Sequence, residues 1–252
     1  MVRTTWPWCV VAGLGLVGCG SEPDFAIERN QRPLAGTCAL AEGGAGPALS
    51  RGTFDLAIGD RPTYELTPLV RNRTAANITV QTVRVRADLL RDGDRARLSI
   101  ACPAGSCDEW DLSACPAADP LDCPVVPADG TASFPVPILP RFVTVYFQEM
   151  LDSAIVAGRT PPEFDLVVTV RLRGTSTDGA IDSADFDYEL KLCIGCLVTF
   201  PTGTDSVLPG PDCCALGAPE PACIPGQDDP VDCRRCVTTS PEVCNFGRLT
   251  CD

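Results

Sequence analysis

The chain predicts an all-β protein: an antiparallel, immunoglobulin-like β-sandwich with a disulfide-stapled insertion and a cysteine-rich, mostly irregular C-terminal tail. Three observations lead there. Apolar residues recur at every second position in short runs between Thr53 and Phe200, which buries one face of each strand and leaves the other in water. Turn-forming residues separate these runs, roughly seven in number, as a sandwich requires. Sixteen cysteines crowd the stretches where the alternation fails.

In chain order, Phe54, Leu56 and Ile58 open the pattern. A strand after Thr63 is broken by Pro68, which fits an edge strand or a bulge. Val83, Val85, Ala87 and Leu89 alternate with Arg84, Arg86 and Asp88. Asp92-Gly93-Asp94 then supplies a tight hairpin turn before a strand over Ala96 to Ile100. Residues 102–123 form a Pro-, Ala- and Asp-rich insertion without periodicity, so bridges must hold it. Gln148 to Ala157 is the one helical stretch, and it is short. Phe164, Leu166, Val168, Val170 and Leu172 make the clearest strand. Phe186, Tyr188, Leu190 and Leu192 make the next, with Asp187, Glu189 and Lys191 between them.

The N-terminus has a different character. Arg3 precedes an uncharged run from Trp6 to Val17, too short for a membrane span of about 20 residues and suited to an export signal. The run ends in Leu16-Val17-Gly18-Cys19, which resembles the lipobox of bacterial lipoproteins. That resemblance implies cleavage between Gly18 and Cys19, and acyl chains such as palmitate on Cys19. More than one chain is what stable anchoring requires. Gly20, where aspartate would signal inner-membrane retention, points to the outer membrane. The expected organisation is therefore a signal peptide over 1–18, then a lipidated cysteine and flexible tether over 19–50. A sandwich domain over 51–200 carries the insertion, and a disulfide-rich segment occupies 201–252.

Cysteine arithmetic agrees with an exported protein. If Cys9 leaves with the leader and Cys19 takes lipid, fourteen remain: Cys38, Cys102, Cys107, Cys115, Cys123, Cys193, Cys196, Cys213, Cys214, Cys223, Cys233, Cys236, Cys244 and Cys251. An even set suits an all-disulfide framework. The tail holds an odd number of cysteines and few large apolar residues. At least one bridge must leave it, so the tail is expected to be stapled to the sandwich, with Cys193 or Cys196 as recipient.

Chemistry is bounded mainly by what is missing. The sequence contains no histidine, which removes Ser-His and Cys-His nucleophile pairs and His-based zinc or copper sites. A net charge of −13 opposes binding to nucleic acid phosphates. Cys193-Ile194-Gly195-Cys196 has redox spacing, but Leu197 to Pro201 reads as strand, not the helix that lowers a thiol pKa. Strand parity puts Cys193 outward and Cys196 inward unless the chain bends, so separate partners are expected. Cys193, Cys196, Cys233 and Cys236 formally make a four-thiolate zinc set, though the gap between the pairs is long and the compartment oxidises thiols. Asp178, Asp182, Asp185 and Asp187 cluster, as do Asp228, Asp229 and Asp232; either could hold Ca²⁺, and neither matches a calcium loop. Asn72-Arg73-Thr74 and Asn77-Ile78-Thr79 are sequons by chance.

The functional expectation is a lipid-anchored envelope protein, not an enzyme, with no cofactor and no metal, that binds or scaffolds an envelope protein or glycan. The alternatives are a carboxylate-based hydrolase, a thiol–disulfide oxidoreductase and a calcium-stabilised adhesion module.

Overall fold

A computed structural model describes residues 22–34, 38–41, 44–56, 63–91, 93–102, 105–115, 122–157, 162–199, 227–229 and 231–232. The leader, Cys19, and Cys213, Cys214, Cys223, Cys233, Cys236, Cys244 and Cys251 lie outside these residues. The strands are β1 (Phe25–Asn30), β2 (Arg51–Asp55), β3 (Tyr64–Leu66), β4 (Pro68–Asn72), β5 (Ile78–Arg91), β6 (Asp94–Arg97), β7 (Ile100–Cys102), β8 (Gly105–Cys107), β9 (Trp110–Ser113), β10 (Val125–Val126), β11 (Thr131–Ser133) and β12 (Val136–Leu139). The helix α1 (Arg141–Val156) follows, then β13 (Phe164–Ser176), β14 (Gly179–Asp182), β15 (Phe186–Cys193), β16 (Val198–Thr199) and β17 (Val231–Asp232).

Residues 164–172 read most clearly as a strand, and β13 lies in the middle of the larger sheet. That sheet runs β10-β5-β13-β15-β2, with β6 and β9 also paired to β5 and β14 to β13. Three short strands thus share one edge of the long β5. All these pairs are antiparallel except β15–β2, which is parallel. A smaller sheet runs β1-β4-β11, and β3 pairs with β12 in a separate two-stranded sheet. Leu166, Val168, Val170 and Leu172 belong to the same core as Phe25 and Val70 of the smaller sheet and Val136 of β12. The all-β class and antiparallel pairing follow from the alternation, without the strand order singling out an immunoglobulin arrangement.

Several expectations change. The stretch 19–50, expected to be a flexible tether, contains β1, which pairs with β4 and buries Phe25 and Ile27. Two buried apolar residues were too weak a periodic signal in a Gly- and Pro-rich context. Cys38, farther along, is disulfide-bonded. The strand after Thr63 does break before Pro68: β3 ends at Leu66 and, among the described residues, pairs only with β12, with a register shift between them. Pro68 opens β4, the central strand of its sheet, at the first position, where a missing N–H is tolerated. The insertion 102–123 is not held by bridges alone. Its β9 pairs with β5, and Trp110 is buried against Phe142 with ring centroids 5.9 Å apart. A Cys115–Cys123 disulfide closes the loop after β9. The hairpin between β5 and β6 is as expected: Arg91 pairs with Asp94, and Gly93 takes φ 88°, with Asp92 outside the described residues.

The helix starts seven residues earlier than the sequence suggests. Val143, Phe147, Leu151 and Ala154 are buried along one face, the spacing of an amphipathic helix. Gln148 Nε2 donates to the Leu56 carbonyl at 2.9 Å, which ties the helix to the end of β2. Among the described residues no helix is long and apolar enough to cross a membrane.

Candidate functional site

β2 has five residues, and two clusters of polar chemistry converge on it. One flank pairs with β15, matching Leu190 to Gly52, Leu192 to Phe54 and Cys193 to Asp55. The other flank receives a piece of the C-terminal segment. Phe54 bridges Gln227 in antiparallel fashion. Thr53 N donates to Asp228 Oδ1 at 2.7 Å, and Asp228 N donates to Thr53 O at 2.9 Å. Gln227 holds the backbone of Glu65 from both sides, accepting from its N–H at 3.0 Å and donating to its carbonyl. Arg32 forms an ion pair with Asp229. Residues 227–229 are therefore docked on the β-domain through backbone, amide and carboxylate bonds. The expected bridge from the tail to Cys193 or Cys196 is not formed, because those two cysteines bond each other, and the tail's own cysteines lie outside the described residues.

Beneath Asp228 lie two buried phenols. Tyr64 Oη donates to Asp228 Oδ2 at 2.7 Å and lies 3.1 Å from Tyr188 Oη. Burial pushes the Asp228 carboxyl above its ordinary value, although bonds from Tyr64, Thr53 and Gln227 pull it back part of the way. Burial, then the nearby Asp228 charge, raises the pKa of both tyrosines. The cluster fits only because residue 52 is glycine: a Cβ there would sit 2.1 Å from Tyr64 Oη.

The second cluster sits at the far end of β2. Cys193 and Cys196 are bonded to each other, not to separate partners as expected. Gly195, at φ 74°, turns the chain back within the motif, and this bend is what strand parity could not reveal. The exposures are also reversed. Cys193 is 1% exposed, and Leu56 N donates to its carbonyl at 2.9 Å, continuing the pairing of β2 with β15. Cys196 is exposed. Asp55, fully buried, braces the turn. One carboxylate oxygen accepts from Gly195 N at 2.8 Å and the other from Leu197 N at 3.0 Å.

Asp55, Cys193 and Cys196 bring a carboxylate oxygen and both sulfurs within 4.8 Å of one another. Joined as a disulfide, the sulfurs are not thiolate ligands. The zinc set is thus not formed at its Cys193–Cys196 half, and Cys233 and Cys236 lie outside the described residues. In the chain-entropy account a bridge over so short a loop stabilises by only about 2 kcal/mol. Hydrogen bonds from Gly195 N and Leu197 N to Asp55 already hold the same turn.

The acidic clusters have other partners. Asp182 pairs with Arg173 at 2.8 Å, Asp185 with Arg171 at 2.7 Å and Asp187 with Arg95 at 2.8 Å. With Arg84–Asp111 at 2.8 Å they form a ladder of opposite charges across the outer face of the larger sheet. The hydrogen bond from Arg173 lowers the Asp182 pKa, and that from Arg84 lowers Asp111. Burial raises Asp187, but bonds from Thr169 and Arg95 more than offset it. Asn72 is buried, and its Oδ1 accepts from Thr74 N and Oγ1.

Sequence reasoning singled out Cys193, Cys196 and Asp228. It missed Asp55, Tyr64, Tyr188 and Gly52 as site residues. Asp55 had one faint signal, a carboxylate placed between Phe54 and Leu56 in an alternating strand.

No family model matches the chain, and a search of curated proteins matched none. Among solved structures, it is similar to the sporulation control protein Spo0M from Bacillus subtilis, at 12% identity and a TM-score of 0.25. The match covers 67% of this chain and 48% of that one, so the chain spans about half the length of that protein.

Proposed function

We propose that this chain is a lipid-anchored envelope protein, displayed from the outer membrane through Cys19, whose β-domain binds or scaffolds an envelope protein or glycan. The observation that carries the reading is the pairing of cysteines. Cys115–Cys123 and Cys193–Cys196 are bridged, and Cys38 and Cys107 are also disulfide-bonded. Structural disulfides persist in oxidising compartments. That supports export, and export gives the Leu16-Val17-Gly18-Cys19 box its meaning. The charge ladder on the larger sheet supports a display role. Its paired charges leave that face well solvated and resistant to sheet-on-sheet aggregation, so binding falls to loops and strand edges.

The test is the mass of the N-terminal peptide from the membrane fraction of cells expressing the full chain. The expected peptide begins at Cys19 and carries thioether-linked and amide-linked acyl groups. An N-terminus elsewhere, with Cys19 bearing a free thiol or a disulfide, overturns the anchoring. Cross-linking in living cells then tests the binding role. A specific envelope protein or glycan recovered with the chain upholds it, and a chain recovered alone argues against it.

A further inference from the structure

We propose that the Cys193–Cys196 turn is a thiol–disulfide exchange site that takes electrons from the dithiol of a partner protein. This goes beyond the binding role. Four features of the geometry point to it. The two sulfurs differ in access: Cys196 is exposed and Cys193 is buried, so an incoming thiolate can reach only one of them. The turn does not depend on its bridge, because Asp55 holds Gly195 N and Leu197 N in place. Both sulfurs therefore stay within reach after reduction, which makes closure reversible. The buried sulfur also has a place for a proton. Cys193 Sγ lies 3.6 Å from the Phe54 carbonyl oxygen; oxidised it has nothing to donate, and reduced it gains a hydrogen bond. Finally, the loop is so short that cleaving it releases little chain entropy.

The step balances as follows. A partner thiolate attacks Cys196 Sγ, forming a mixed disulfide and breaking the Cys193–Cys196 bond. Cys193 leaves as a thiolate, takes up and keeps the proton that the partner thiol gave up, and its S–H then hydrogen-bonds to Phe54 O. The partner's second thiolate attacks its own sulfur in the mixed disulfide and expels Cys196, which takes up the second proton. The partner dithiol is oxidised to a disulfide and the Cys193–Cys196 pair is reduced by two electrons. Asp55 is a positioning residue: it accepts from Gly195 N and Leu197 N and so holds the turn in both states.

The experiment treats the purified full-length protein with dithiothreitol under native conditions and follows each cysteine by alkylation and mass spectrometry. The expected result is that Cys193–Cys196 opens at least about tenfold faster than Cys115–Cys123 with the β-sheet circular dichroism unchanged. In a Cys193→Ser variant, glutathione disulfide is expected to label Cys196. In a Cys196→Ser variant, Cys193 stays unlabelled. Asp55→Asn is expected to shift the equilibrium with glutathione by about tenfold toward the dithiol, leaving Cys115–Cys123 unmoved. The proposal is overturned if Cys193–Cys196 opens no faster than Cys115–Cys123. It is also overturned if opening requires loss of the sheet signal, or if glutathione attaches to Cys193.

Discussion

Replacing Gly52 by alanine should undo the docking of the C-terminal segment. An alanine Cβ would lie 2.1 Å from Tyr64 Oη and 2.8 Å from Tyr188 Oη, closer than a carbon and an oxygen can approach. Tyr64 has little room to retreat. It is fully buried, with the Phe54 ring centroid 5.7 Å away and that of Tyr188 at 6.2 Å. Moving the hydroxyl breaks its 2.7 Å bond to Asp228, worth about 2 kcal/mol where the partner is charged. Repacking an overfilled core costs about 2 kcal/mol more, so the variant should lose about 4 kcal/mol. Urea unfolding followed by circular dichroism measures it. Tyr64→Phe removes the atom that clashes most, so the double variant should be less destabilised than the two single losses combined. The reasoning is refuted if Gly52→Ala costs less than about 1 kcal/mol, or if the two substitutions are additive.

Further expectations concern pH, the Asp55 brace and the sheet interior. The folded-state pKa of Asp228 is raised, so its contribution to stability is full below the ordinary carboxylate value and is lost as pH rises through the folded one. Asp228→Asn should therefore gain on the wild type as pH climbs from about 4 to 7; parallel stability curves would contradict this. Asp182 and Asp111 have lowered pKa values and run the other way. Their contribution is present above the ordinary value and lost as pH falls through the folded one. Both are exposed, so added salt should erase most of it. Asp55→Ala strands two backbone N–H groups and should cost about 3 kcal/mol in the same urea assay. Gly174→Ala places a Cβ 2.6 Å from the Thr79 carbonyl oxygen where the β5–β13 register shifts, and should cost about 3 kcal/mol. In an alkaline titration Tyr64 and Tyr188 should stay un-ionised beyond the range of an ordinary phenol. A full phenolate signal before unfolding would contradict that.

What the sequence disclosed depended on length. β13 and β15 alternate over enough residues to fix their faces, and Leu166, Val168, Val170, Leu172 and Leu190 are all buried as expected. β1, β3 and β12 are too short or too rich in proline to show a period. The helix start was hidden because Val143, Thr144, Val145 and Tyr146 are residues that favour strands. Only the helical spacing of Val143, Phe147 and Leu151 betrays them. At the site, the cysteine spacing was legible and the pairing was not, because Gly195 bends the chain against the parity of β15. Asp228 stood out for its acidic neighbours, which suggested a cation. Its actual partners, Thr53 and Tyr64, are distant in sequence, and no local pattern announces such a contact.

The parallel pairing of β2 with β15 also sets the order in which the molecule can be completed. Residues 51–55 are made early, yet their partners are residues 189–193 on one flank and 227–228 on the other. Contacts so distant along the chain form only after the loops between them are closed. β2 must therefore wait, unpaired, while most of the protein is synthesised. The strand that both polar clusters share is thus fixed late, only after residues 189–193 and 227–228 have been made.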